Sequence, residues 1–168
     1  MLWGHTLRSP HAHARIVSVD ISQAVSMPGV HAVLTHDDVP GQKTYGLEFP
    51  DQPVLAIDRV LYYGEAVAIV AAEHPEQARR AAEKIVVEYE PLEPVADMER
   101  ALEQPDLHPQ KPTRGHGYLE DDRPNIVRHM VIRHGDPETQ GEVSVSGHYE
   151  VGIQDQAFLG PESGLAVP

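Results

Sequence analysis

The stretch "EAVAIVAAEHPEQARRAAEKIVVEYE", Glu65 to Glu90, constrains the fold more than any other part of the chain. It opens with a continuous apolar run of strand length. Its middle carries Pro75 near a helix start and alanines at helical spacing, and it closes on a second β-branched run. Strand, helix, strand with short joints, over Val60–Tyr89, predicts a crossover unit, right-handed as strand twist requires. The fold should therefore hold a sheet with a helix laid on it.

The flanking sequence supplies more strands than helices. Leu2 to Ser9 and "ARIVSVDIS", where Ile16, Val17, Val19 and Ile21 recur among small or polar residues, predict two strands. "SQAVSMPG" predicts a short helical turn with Ser22 as N-cap and Pro28-Gly29 as its end, and "VHAVLT" a further strand. "HDDVPGQKTYGLEFPDQP" has the composition of an exposed, mobile surface loop, with Asp37 and Asp38 as cap or turn residues. After Glu90, "PLEPVADMERALEQP" predicts a Pro-bounded extended piece and a short helix over Asp97 to Glu103, capped by Asp97.

From Pro105 to Asn125 the composition turns to Pro, Gly, His and charge without apolar periodicity, which marks residues 105–125 as a linker. It separates a first domain, residues 1–104, from residues 126–168. There "IVRHMVIRHGD", "VSVSGHYEVG" and "SGLAVP" predict three strands. Strands without a partner layer are marginal in water, so 126–168 reads as a truncated, β-rich N-terminal fragment of a second domain. Exposed apolar strand edges should make the isolated chain prone to association. The fold class is α+β.

Composition excludes several functions. Acidic residues outnumber basic ones by 26 to 13, a formal charge of −13 with no Lys/Arg block, and such a surface repels nucleic acid. No apolar run approaches the roughly 20 residues of a membrane span, and no signal-type N-terminus is visible. With zero Cys, the chain can build no disulfide, thiolate zinc site or Cys-ligated iron–sulfur cluster. A cytoplasmic protein is the simplest reading.

Few residues offer chemistry. His11 and His13 stand two apart in "RSPHAHARI", a spacing that turns both imidazoles to one face of a strand, and His5 could join them if the first two strands pair. That permits a metal site without requiring one, because no third and fourth ligand follow at a recognisable spacing. Asp37-Asp38, Glu88/Glu90 and Glu120-Asp121-Asp122 read as solvated faces or turns. Serines lack a nucleophile elbow, and Gly41, Gly46 and Gly64 are isolated turn glycines rather than a phosphate loop. Gln154, Gln156 and Glu162 in "GIQDQAFLGPESGLAVP" could line a buried polar site. The simpler alternative is a Gly160-Pro161 turn whose polar groups bond within it.

Two longer stretches carry a resemblance. "LWGHTLRSPHAHARIVSVDISQAVSMPGVHAVLTHDDVPG" and "VLAIDRVLYYGEAVAIVAAEHPEQARRAAEKIVVEYEPLEPVADMERAL" resemble the α/β-hammerhead domain that opens the molybdenum-binding subunit of the xanthine dehydrogenase and aldehyde oxidase family. The likeness is dense over about the first 104 residues, and "HGDPE" with "QDQAFLGPESGLAVP" looks like the entry to the molybdopterin-binding region. The latter form is most similar to bacterial xanthine dehydrogenase subunits.

The resemblance implies that "RSPHAHARI" is scaffold, so no metal ligands are expected. It implies molybdopterin, in its cytosine dinucleotide form, with molybdenum in the complete subunit. FAD and 2Fe-2S clusters would sit on separate partner subunits, a flavin subunit and an iron–sulfur subunit, which suits a chain without cysteine. A purine would be hydroxylated by a molybdenum-bound hydroxide that a glutamate base activates. That base and the cofactor-binding segments would lie beyond the match to Pro168, so no catalytic residue is expected here and Glu162 cannot be given that role. The same family also includes enzymes of aldehydes, carbon monoxide and other N-heterocycles, and a stand-alone scaffold that keeps only the hammerhead is the remaining alternative.

Overall fold

A computed structural model describes residues 1–46, 50–105, 107, 125, 126, 129, 131, 132, 134–136, 139, 141–152, 154, 155, 157 and 164–166. The chain divides into two units, Met1–Val131 and Ile132–Pro168.

In the first unit the elements run β1 (Trp3–Arg8), β2 (Ala14–Asp20), α1 (Ser22–Val25), β3 (Val30–Leu34), a 3-10 turn (His36–Asp38), β4 (Thr44–Tyr45), β5 (Gln52–Pro53), β6 (Arg59–Val60), β7 (Ala66–Ala72), α2 (Pro75–Ala82), β8 (Val86–Pro91) and α3 (Met98–Ala101). They form two three-stranded sheets, ordered β1-β7-β3 and β6-β2-β8, and a small β4-β5 pair. All pairings are antiparallel.

β7 is the middle strand of the first sheet, which is why its sequence is apolar throughout: Ala68, Val70 and Ala72 are fully buried and Val67 nearly so. One face meets α2. Ala78, Ala81 and Ala82 of that helix share a core with Ala68, Val70, Ala72, Val33, Ala24 and Ile85. Alanine on both surfaces lets helix and sheet approach closely, and burying Val70 alone is worth about 1.5–3 kcal/mol. Val67 points the other way, into a second core with Ala14, Ala56 and Val60 that joins the two sheets.

α2 starts where the sequence predicts. His74 precedes it in an extended conformation and its Nδ1 accepts from the Glu76 N–H at 3.2 Å, with Pro75 opening the helix. Arg79 and Arg80 both bond Glu76 at 2.8 Å, and Arg79 also pairs with Glu83.

The expected crossover unit is corrected by the pairing. β7 and β8 lie in different sheets. Both edges of β7 are already taken, by β1 and β3, so the chain leaving α2 has no adjacent position there and pairs instead with β2. Handedness in the parallel-crossover sense does not apply.

Two smaller expectations also change. Ser22 is the first residue of α1 rather than its cap; Ile21 occupies the cap position, and the Asp20 carboxylate accepts from the Ser22 N–H at 2.9 Å. The described parts of the stretch from His36 to Pro53 hold more regular structure than a plain loop. Thr35 and Asp38 form a reciprocal capping box around the 3-10 turn, and Lys43 O accepts from Val54 N at 3.0 Å beside the β4-β5 pair.

α3 is capped by Asp97, whose side chain accepts from Arg100 N at 2.8 Å. Of the proposed linker, only Pro105, Leu107 and Asn125 are described. Asn125 returns to the end of α3: its Nδ2 donates to Ala101 O at 2.7 Å, and its Oδ1 accepts from Leu107 N at 2.9 Å.

In the second unit no strand is present among the described residues, so the three strands expected beyond Asn125 are not seen there. Residues 141–152, which include all of "VSVSGHYEVG", are exposed throughout, with Val145 at 87% and Tyr149 at 88%. A strand is defined by its ladder, and among the described residues this one has no ladder partner.

Candidate functional site

Several polar groups meet at the turn that follows β1. Ser9 is buried, and its backbone closes onto the segment before β7 in both directions: Ser9 N donates to Glu65 O at 2.8 Å and Gly64 N to Ser9 O at 2.9 Å. The Ser9 hydroxyl faces its own turn, receiving the His11 N–H at 3.0 Å. Arg8 reaches the Gly64 carbonyl at 2.8 Å. Gly64 has φ of +87°, a conformation that favours glycine, so the turn glycine expected there has a backbone reason.

Glu65 is a charged residue at 4% exposure, and its carboxylate accepts from the Leu61 N–H at 2.6 Å. It pins the turn from Leu61 to Glu65. The sequence pattern merged this residue into the strand run; the signal that could have separated it is a lone charge between a turn glycine and an apolar strand. Tyr89 lies across the junction, its hydroxyl pushed to a higher pKa by burial while a Ser9 hydrogen bond works against that rise.

The three histidines go separate ways. His5 sits on β1 opposite Val70. His11 stacks edge-on against the Tyr89 ring, with centroids 4.9 Å apart. His13 has Nδ1 2.9 Å from the Glu93 carbonyl, so Nδ1 carries the proton and donates, while the neighbouring backbone receives Leu92 N on His13 O at 2.9 Å. These bonds fasten the start of β2 to the chain leaving β8. Among the described residues no three His, Asp or Glu side chains gather as a metal could require.

The carboxylates are likewise engaged or solvated. Glu90 pairs with Arg15 at 3.3 Å and Glu88 accepts from the Ser18 hydroxyl at 3.2 Å, both on the exposed side of the second sheet. Asp37 faces His36 at 3.3 Å and Lys43 at 3.5 Å. Gln154 is exposed. Gln156, Glu162 and Glu120-Asp121-Asp122 lie outside the described residues.

Among the described residues two buried side-chain atoms lack a partner, Nε2 of His13 just before β2 and Oε1 of Gln77 on α2. Two separate orphan atoms do not make a cradle for a charged molybdopterin. The described residues therefore do not fit that cofactor.

The geometry shows loops tied to one another by hydrogen bonds, and residues 1–93 match the family described as aldehyde oxidase and xanthine dehydrogenase, a/b hammerhead domain. The chain belongs to that family. Molybdenum hydroxylases of several kinds share it. A probable xanthine dehydrogenase subunit of Bacillus subtilis is 42% identical over 171 residues, covering 100% of this chain and 22% of the relative. The nicotinate dehydrogenase large molybdopterin subunit of Eubacterium barkeri is 35% identical, covering 99% of this chain and 37% of the relative. Among solved structures, the aldehyde oxidoreductase of Desulfovibrio gigas superposes with a TM-score of 0.59 at 32% identity, over 67% of this chain and 14% of the other. The CO dehydrogenase of Oligotropha carboxidovorans gives 0.56 at 41%, over 61% and 13%. The chain thus spans 22% to 37% of the length of these curated relatives. No described helix is long and apolar enough to cross a membrane.

Proposed function

We propose that this chain forms the N-terminal, architectural part of the molybdenum-binding subunit of a cytoplasmic xanthine dehydrogenase acting on a purine. Its hammerhead unit would support the region that holds molybdopterin, in the cytosine dinucleotide form, and would help seat the flavin and iron–sulfur partner subunits. The observation that carries this reading is the 42% identity that runs along the whole chain to a xanthine dehydrogenase subunit, including the residues beyond the hammerhead match.

The junction around Ser9, Glu65 and His13 supports the architectural role. The Ser9 hydroxyl, the Glu65 carboxylate and His13 Nδ1 are spent on backbone hydrogen bonds that hold turns, which suits a structural part. Chemistry would belong to the larger assembly.

The test is to tag the protein in its own cells, purify it with everything that stays bound, and assay molybdenum, flavin and iron together with turnover of xanthine, nicotinate and an aldehyde. Molybdenum with xanthine turnover is the expected result. Turnover of nicotinate or aldehyde alone would remove the purine assignment while keeping the family chemistry. A preparation without molybdenum or bound polypeptides would instead make the chain a stand-alone scaffold.

A further inference from the structure

The corner where β7 turns into α2 holds two histidines that answer a proton in opposite ways. His74 caps the helix through Nδ1, which receives the Glu76 N–H at 3.2 Å. A backbone N–H can only donate, so this nitrogen must be bare. Imidazole takes up its second proton between about pH 8 and pH 5, and the charged ring has two N–H groups and no acceptor. Its charge would also meet the positive end of the helix. His31 stands across the same corner on β3, at the residue skipped in the β3–β7 register, and its Nε2 lies 3.1 Å from the Glu73 carboxylate. That contact asks for an N–H, which the charged ring also supplies, so it outlasts protonation.

The surrounding groups offer His74 no substitute for its cap. Both Glu76 oxygens are held by Arg79 and Arg80, which lower the pKa of that carboxylate to about 2, so it stays ionised throughout the interval. Glu73 is turned to His31. Of the other elements packed on α2, β7 and α1 carry no charged side chain, and β1 brings His5 opposite Val70 and Arg8 opposite Ala66.

We propose that His74 makes the start of α2 proton-sensitive: its cap is closed while the imidazole is neutral and opens when the ring is charged, with His31 holding Glu73 through the change. The turn that is released carries Gln77, whose amide lies over Gly29 so closely that a Cβ there would meet its Nε2 at 2.6 Å. Glu73 N donates to Gly29 O at 2.9 Å, on the side that His31 keeps. Acid therefore loosens the helical side of this corner and leaves the strand side joined. The inference rests on the first unit alone and stands apart from the enzymatic reading.

The full chain, isotope-labelled for amide spectra, tests this by NMR and by thermal melts between about pH 8 and pH 5. The Glu76 amide proton should move upfield with the same midpoint as the ring protons of His74. In His74→Asn the cap is an amide oxygen that does not titrate, so that signal should stay in place. The unfolding constant of the parent relative to this variant should rise about five-fold as pH falls, the worth of one helix cap. His31→Gln keeps a donor for Glu73 and should leave the Glu76 response as it is in the parent. A Glu76 amide that ignores the imidazole, that moves equally in His74→Asn, or that stops responding in His31→Gln would overturn the proposal, as would a ratio of unfolding constants that is the same at both ends of the interval.

Discussion

β7 and the segment Val143–Val151 are both written as strands, and their fates differ completely. β7 has a neighbour on each edge, a helix on one face and the second core touching the other, and is buried along most of its length. The later segment has a cleaner alternation and is exposed at every described position. Side-chain pattern selects which face a strand would bury. Whether it becomes a strand depends on a partner that the local sequence does not name.

The sharpest way to break this comparison is to place the same charge in both. Val70→Asp, at a fully buried position, should cost about 4 kcal/mol or more and unfold the first unit, because an unpaired carboxylate would be trapped between sheet and helix. Val145→Asp should change the melt of that unit by no more than about 0.5 kcal/mol. A thermal melt followed by circular dichroism reads both. Comparable losses would mean that the later segment is packed in solution.

Glu65→Ala should come next. It leaves the Leu61 N–H without its carboxylate, at a cost of about 1–3 kcal/mol by urea titration. Glu65→Gln keeps an acceptor and should recover most of that loss. If the two variants behave alike, the carboxylate does not pin the turn.

His13→Ala should cost about 1 kcal/mol, since it deletes the donor to the Glu93 carbonyl. His13→Asn, which offers an amide N–H in nearly the same place, should be milder. An Ala variant as stable as the parent would show that the histidine fastens nothing.

The smallest effect is expected at Glu76. Hydrogen bonds from Arg79, then Arg80, lower its pKa from 4.5 to about 2. A carboxylate with a depressed folded-state value stabilises the fold above about pH 4.5 and loses that contribution as pH falls from 4.5 towards 2. Because the group is partly exposed and its ion pairs are screened by solvent, the loss should be slight. Glu76→Gln should give a shallower decline of stability over that interval, and an unchanged slope would mean that the Arg pairs are not populated.

Much of the first unit was legible because its signals are local. Pro75 with alanines at helical spacing marked α2, Asp97 marked the cap of α3, and alternating β-branched residues marked β2, β3 and β8. Sheet membership was not legible. No feature of Val86–Pro91 says that β2, rather than β7, will be its neighbour; the occupied edges of β7 decide that. The junction at Ser9 was similarly hidden. Its partners, Gly64 and Glu65, lie more than fifty residues away, and spacing within "RSPHAHARI" suggested ligands where the folded chain makes turns.

The side chain of Asn125 has a further consequence. By bonding Leu107 and the carbonyl of Ala101, it brings the two ends of an intervening stretch to one place and fixes their separation independently of what lies between. Residue 125 is thereby anchored to the first unit by a side chain rather than by a ladder or a helix, so Asn125→Ala alone would untie it from the end of α3.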